Sequence, residues 1–426
     1  MGTISTVRTD APSRTGARRW LHVSFPLLIS FSVAQLVKSS VGIVVASPVF
    51  EDRFHIGSHA AAVGWVSSSF LYAYGAALLA WGYIVKRFGP RTAMLTGSAI
   101  WVLALAFTPF VNTMAELYLT RIALGIGEAC FYPVAHTLTA RWFPIQERAR
   151  ANASWLSGIF VGSTFASLIT TLTLNGLGWE GTFFVQAGIA LVLAFGLTFA
   201  LVHDDPRVAD DVDTGEVEHI VANQFENTEL LPKKGPESPF RNYRYWLTML
   251  IYLGTNIPFY GLVTWLPTFL RDQRHLNFGV VGWILTGANA LSIVVMALIA
   301  MRSDRTMRRA TIAVGGFLVE GIGITGAALG PHNTAWIGLF VFLGLAGNAW
   351  CVVTNWGLLH SLMPTRQVET SSGVFSSVTN LIGAGFPALM GWMLSSTGSY
   401  TPGFLMLDGT VLVSIVCCGI LARQRY

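Results

Sequence analysis

Apolar positions run along this chain in long unbroken stretches. They do not follow the alternation of a soluble sheet or the one-sided stripe of a soluble helix. Six stretches of about 20 residues or more fall near 21–48, 61–85, 92–111, 114–140, 150–174 and 182–202. Six more fall near 244–269, 279–301, 309–330, 334–361, 369–395 and 402–422. A helix rises about 1.5 Å per residue, so each stretch is long enough to cross the ~30 Å hydrocarbon layer. The pattern predicts an all-α membrane protein, with twelve transmembrane helices in two six-helix halves. Residues 203–240 hold no apolar run and read as a linker, with one short amphipathic helix around 215–223. The expected division is a tail at 1–19, a first half at 20–202, the linker at 203–240 and a second half at 241–426.

Composition agrees. Of 426 residues, 53% are hydrophobic and 12% charged, where a soluble domain carries about 25% charged. Residues 1–19 are polar and the first apolar run is too long for a signal h-region, so no cleavable signal is expected. Cys130, Cys351, Cys417 and Cys418 lie in apolar runs without metal-ligand spacing, so neither a metal nor a cofactor is expected. No nucleophile elbow or Walker loop is present, which argues against an enzyme and against a self-contained ATP-driven pump.

Charge placement sets the topology. Of the 27 Lys and Arg residues, 22 fall at the two termini, in the linker and in the loops on that same side. Only Arg53, Arg271 and Arg274 fall in the opposite loops. Positive charge marks the cytoplasmic face, so both termini and the linker are expected there. Two cations, Lys38 and Arg121, remain inside spans.

Those cations point to a site. The stretch Thr120–Ala151 begins apolar and glycine-rich, yet carries Arg121 and Glu128. Seven residues put the two on one helix face, about 10 Å apart along the axis. Charges at membrane depth are costly and mark transport paths or proton relays, unless they only hold the bundle together. Lys38 sits mid-span, where a counter-charge for an anion is favoured over snorkelling. Tyr74 and Tyr260 could offer hydroxyls, and Asn256, Asn348, Asn355 and Asn380 could donate or accept hydrogen bonds. Helix-helix packing is the competing role for any one asparagine. Asn256 and Tyr260 share a face, as do Asn348 and Asn355. Glu320 in the ninth span has no assigned role, and Asp408 is expected near the outer surface.

Two basic turns recur after paired spans: Gly82-Tyr-Ile-Val-Lys86-Arg87-Phe-Gly89-Pro-Arg91, and Ser303-Asp304-Arg305-Thr-Met-Arg308-Arg309. With six plus six spans and a polar linker, they resemble the major facilitator superfamily, in which two halves rock about a midplane site. The resemblance implies gating roles for Lys86, Arg87, Asp304 and Arg305. Lys86 stands where the family has an aspartate that helps lock the outward-facing state.

Three further stretches resemble the anion:cation symporters, the galactonate, glucarate and hexuronate permeases and the sialic acid and vesicular glutamate carriers. They are Arg121 through Glu128 to Pro133 with Trp142-Phe143-Pro144 and Glu147-Arg148; Tyr260 with Trp265-Leu266-Pro267; and Gly373, Asn380 and Pro387 to Gly391. The resemblance implies proton-coupled uptake of a small organic anion by alternating access. Lys38, Tyr74, Arg121, Tyr260, Asn355 and Asn380 would bind it, and Glu128 would carry the proton. Lys38 replaces an arginine in the first span and lacks the neighbouring acid. Ile159 replaces a polar, hydroxyl-binding residue. The implied partners are the anion, a proton and lipid, without nucleic acid, for a monomer in a bacterial inner membrane. A proton-independent anion or organophosphate exchanger is the alternative, and a membrane sensor ranks below both.

Overall fold

In the computed structural model, residues 17–54, 60–144, 147–209, 212–223, 242–306, 308–362 and 368–424 are described. They are almost wholly helical, and no strand occurs among them. Ten helical stretches among the described residues are long and apolar enough to cross a membrane. One of these, Arg150–Leu201, is 52 residues long and breaks where Gly178 adopts φ 73°, a value that only glycine reaches without strain. It supplies the fifth and sixth spans. The fourth span is interrupted, with Met114–Glu128 and Phe131–Trp142 as separate helices. Pro133 explains the break. It has no N–H to give the Ala129 carbonyl four residues back, and its ring crowds that carbonyl. Counted this way the chain makes twelve rods among the described residues. A short helix, Thr214–Ala222, lies in the segment between the halves.

Burial is inside out relative to a soluble bundle. Large apolar side chains such as Leu119, Val192 and Trp283 are more than 60% exposed on the bundle wall. Buried Ser, Thr, Gln, Asn and Glu residues gather inside. Only helices satisfy their own backbone groups in lipid, so the interior is free to hold polar side chains. The first span, Trp20–Val45, packs on the fifth, and the second, Ala60–Phe88, packs on the fourth and the eleventh. In the second half the ninth span, Arg309–Leu329, packs on the tenth and twelfth.

The halves meet at the end of the bundle opposite the termini. Pro267 interrupts the ladder of the seventh span, Tyr243–Asp272, and frees the Val263 carbonyl. Gly42 of the first span lies against that oxygen, and a methyl there would fall 2.0 Å from it. A methyl on Gly64 would fall 2.3 Å from the Pro387 carbonyl, and one on Gly391 would fall 2.5 Å from that of Ala60. Hydrogen bonds run along the same contact: Thr264 Oγ1 donates to Ser67 Oγ at 2.9 Å, and the Ala388 N–H donates to Ser68 Oγ at 3.1 Å. Arg271 reaches across to Glu51 at 2.6 Å and also donates to the Ala46 carbonyl. Small residues permit this backbone approach, as they do between membrane helices generally.

Gly64→Val should therefore force the halves apart at this end, because the obstacle is backbone. Overpacking of this kind costs about 1–3 kcal/mol. The expected result is faster maleimide labelling of a cysteine placed at Ser67, and unchanged labelling rates would refute the close packing.

Candidate functional site

Glycines build the site before any charge does. In the fourth span, Gly125 faces the second span and Gly127 faces the third. A methyl on Gly125 would lie 2.5 Å from the Phe70 carbonyl, and one on Gly127 would lie 2.7 Å from the Gly97 carbonyl. Three backbones thus converge one residue before Glu128. Across from them, Gly158 and Gly162 of the fifth span admit the first span, with a methyl on Gly162 falling 2.1 Å from the Ser32 carbonyl. That contact fixes the stretch carrying Gln35 and Lys38. Trp81 donates its indole N–H to the Ile126 carbonyl at 2.7 Å and braces the fourth span just before its break.

On this frame sit two cations, one acid and two rings. Lys38 Nζ pairs with Glu128 Oε1 at 3.2 Å, with side chains only 14% and 4% exposed. The same ammonium lies 4.6 Å from the centre of the Tyr74 ring and 5.4 Å from that of Phe70. Phe70 and Tyr74, four residues apart, stack at 5.8 Å. The Arg121 guanidinium lies 5.6 Å from the Phe70 centroid. Both cations therefore use the Phe70 face, an interaction that strengthens with desolvation. Arg121 is 1% exposed, and its Nε and Nη1 find no hydrogen-bond acceptor in the protein. Glu128 Oε2 is likewise unmatched. A cavity of about 20 Å³ borders Gln35, Lys38, Tyr74, Glu128, Tyr132 and Ile159. It has room for one water and is far too small for a carboxylate.

The second half presents amides. The Tyr260 hydroxyl donates to Asn380 Oδ1, and Asn380 Nδ2 donates to the Ser376 carbonyl at 2.7 Å. Asn256 Nδ2 donates to the Thr379 carbonyl at 3.3 Å. Asn355 Nδ2 donates to Thr255 Oγ1 at 2.7 Å, while its Oδ1 is buried without a donor. The two halves of the site adjoin where the second span meets the eleventh. Gly75, next to Tyr74, receives Leu381, next to Asn380.

The structure thus gathers Lys38, Tyr74, Arg121 and Glu128 into one cluster, and Tyr260 with Asn380 into another. Asn355 lies behind the second on Thr255. Lys86 and Arg87 are exposed at the end of the second span. The side chains of Asp304 and Arg305 lie outside the described residues. Asp204 caps the turn after the second span by accepting from the Arg91 N–H at 2.8 Å, beside Gly89 at φ 87°. An acid thus lies against that turn even though position 86 is lysine. Asp408, expected near the outer surface, lies early in the twelfth span, is 8% exposed and takes a hydrogen bond from Thr325. Its helix packs on the ninth span, which covers it. Phe70 and Gln35 escaped sequence reasoning. The Phe70–Tyr74 spacing was the available signal for the first, and nothing marked the second.

A bundle of this form has known counterparts. Residues 27–387 match the Major Facilitator Superfamily, most of the chain. The chain belongs to the Major Facilitator Superfamily. A putative tartrate transporter of Agrobacterium vitis is 26% identical over 88% of this chain and 87% of its own length. The D-galactonate transporter of Escherichia coli is 24% identical over 94% of this chain and 95% of its own. These relatives are named as transporters rather than enzymes, in keeping with the resemblance to anion:cation symporters. Among solved structures, a bacterial homolog of the human lysosomal transporter Spinster, inward-facing and unoccupied, superposes with a TM-score of 0.75 at 16% identity. It covers 97% of this chain and 98% of that one, and this likeness shows the fold. The protein is thus a multi-pass membrane transporter of the Major Facilitator fold.

In this transporter Lys38→Ala should leave Glu128 buried and unpaired. Loss of one partner of a buried pair costs about 3–5 kcal/mol. Thermal unfolding in detergent should show a clear fall for Lys38→Ala that Lys38→Met/Glu128→Gln largely restores. Equal melting of the single variant and the parent protein would remove the pair from the core.

Proposed function

We propose that this protein is a proton-coupled symporter that carries a small organic anion into the cell. It acts as a monomer in a bacterial inner membrane, with both termini and the linker cytoplasmic. The observation that carries this reading is the buried Lys38–Glu128 pair with the unmatched guanidinium nitrogens of Arg121 beside it. Two cations and one acid leave the cluster one positive charge in excess. A carboxylate suits that excess, and relatives named for tartrate and D-galactonate point the same way. Tyr74 and Tyr260 supply hydroxyls, and Asn355 and Asn380 supply amides, to orient the anion.

Coupling follows from competition. Without substrate, Lys38 holds Glu128. An arriving carboxylate takes Lys38 and Arg121 for itself, and Glu128, deprived of its partner in an apolar bundle, takes up a proton. A monocarboxylate and the proton cancel, so loading adds no net charge to the buried cluster, and a dicarboxylate neutralises its excess; either way the anion crosses between states without adding uncompensated charge. With cytoplasmic termini, the closed end opposite them is the outer one, so the route from outside is shut in the present arrangement. The alternative is a proton-independent exchanger of organic anions or organophosphates. Phosphate favours bidentate arginine, and neither cluster of the site has a second arginine.

Glu128→Gln separates the two readings in vesicles of purified protein, with tartrate and D-galactonate at the head of a panel of small carboxylates. The variant should exchange a panel member between two loaded compartments at a rate near that of the parent. It should lose the accumulation that an acidic outside drives in the parent. Retained accumulation would place the proton elsewhere, and no uptake of any carboxylate by the parent would sink the anion reading.

Ile159 sets an apolar wall against the site. Ile159→Ser should therefore lower the KM for polyhydroxylated D-galactonate relative to tartrate by about 3-fold or more, the scale of one added hydrogen bond. An unchanged ratio would mean that this wall does not touch the ligand.

A further inference from the structure

Among the described residues, Glu320 is the one fully buried acid that the coupling scheme leaves unused. It is 0% exposed in the middle of the ninth span, and among the described residues it makes no ion pair. Its position is not an accident of a long side chain reaching for an interface. Gly347 of the tenth span lies against its backbone, and a methyl on Gly347 would fall 2.4 Å from the Glu320 nitrogen. One turn further on, the ninth and tenth spans touch again through Gly323 and Gly344, where a methyl on Gly323 would fall 2.1 Å from the Gly344 nitrogen. The carboxyl is held inside by that close backbone packing.

The acid has a defined target. Asn348 Nδ2 donates to Glu320 Oε1 at 2.7 Å and to the Thr255 carbonyl at 2.9 Å. An amide NH₂ has two hydrogens, and these two acceptors use both. Two turns along the tenth span, Asn355 donates to the hydroxyl of the same Thr255 at 2.7 Å. Thr255 is therefore gripped by its carbonyl and by its side chain. The next residue, Asn256, is tied to the eleventh span at Thr379, and Tyr260 to Asn380. The segment needs such ties because Pro258 removes the helix bond to the Gly254 carbonyl.

We propose that Glu320 is a positioning residue for the substrate site: by accepting from Asn348 it fixes the amide that holds the Thr255–Tyr260 segment, which carries Tyr260 and anchors Asn355 of the tenth span, the two groups that meet the anion. The inference rests on the assignment of Asn355 and Tyr260 to the substrate made above. The acid acts as a hydrogen-bond acceptor, and its charge plays no part. An amide acceptor at the same place does the same work. A carbon side chain leaves Asn348 free to rotate and leaves one of its hydrogens unmatched.

Two measurements test this on the full-length protein. The first is hydrogen exchange by mass spectrometry on the substrate-free protein. Peptides across Thr255–Tyr260 should exchange at least several-fold faster in Glu320→Ala than in the parent and at the parent rate in Glu320→Gln. Peptides across Phe70–Tyr74 should be unchanged in both. The second is uptake kinetics with the panel carboxylate that the parent transports best. Glu320→Ala should raise KM about 10-fold with little change in maximal rate, Glu320→Gln should restore KM to within about 2-fold, and Glu320→Ala/Asn355→Ala should raise KM by clearly less than the product of the two single effects. Parent-like exchange in Glu320→Ala overturns the proposal, and so does loss of pH-driven accumulation in Glu320→Gln, which would make Glu320 a proton carrier. If Asn355→Ala leaves KM unchanged, the substrate assignment fails. If Asn355→Ala raises KM and Glu320→Ala does not, only the role of Glu320 fails.

Discussion

A charge inside a membrane protein must find a partner or leave, and this constraint organises the first half of the molecule. Lys38, Arg121 and Glu128 come from two different spans and cannot snorkel from mid-bundle, so they are collected around one another and around the face of Phe70. That collection is possible only because Gly125, Gly127, Gly158 and Gly162 let the backbones of the first five spans approach within a side chain's width, the fourth against the second and third and the fifth against the first. The glycines set the distances, and the ion pair and the ring contacts are what those distances allow. A larger residue at any of the four would move the cluster before it touched a charge.

The second half solves a milder problem with different chemistry. Pro258 and Pro267 each leave a carbonyl of the seventh span without its helical donor. Around the first, side-chain amides of the tenth span and the segment's own Asn256, which donates to a carbonyl of the eleventh, tie the segment down. At the second, the Val263 oxygen meets Gly42 of the opposite half. One proline therefore lies among the amides of the site and the other at the closed end. The break in the fourth span at Ala129 belongs to the same class, since Pro133 ends the helix that carries Glu128 one residue after it.

How much of this could be read from the sequence depends on range. The spans were legible because a 20-residue apolar run has few other uses, and the linker helix because its polar neighbours end it. Arg121 and Glu128 were placed on one face by spacing alone, as were Asn348 with Asn355 and Asn256 with Tyr260, and in the structure each asparagine pair meets a common partner element. What spacing could not supply was any distance between helices. Nothing local says that Glu128 pairs with Lys38, ninety residues earlier, while Arg121 turns to an aromatic face. Nor could it show that Asp408, early in its span, would be covered by the ninth. The break at Ala129 was within reach, since proline marks it, but an apolar run is read for its length more readily than for its interruptions.

The candidate site divides its labour unequally. Both buried cations and the acid between them sit in the first half, and the second half contributes neutral amides and a phenol. On the proposed reading, changes to the neutral side reshape what is recognised without disturbing the charges that would drive the cycle. A lineage facing a new nutrient could thus retool one half of such a protein by ordinary point substitution and inherit its engine intact from the other.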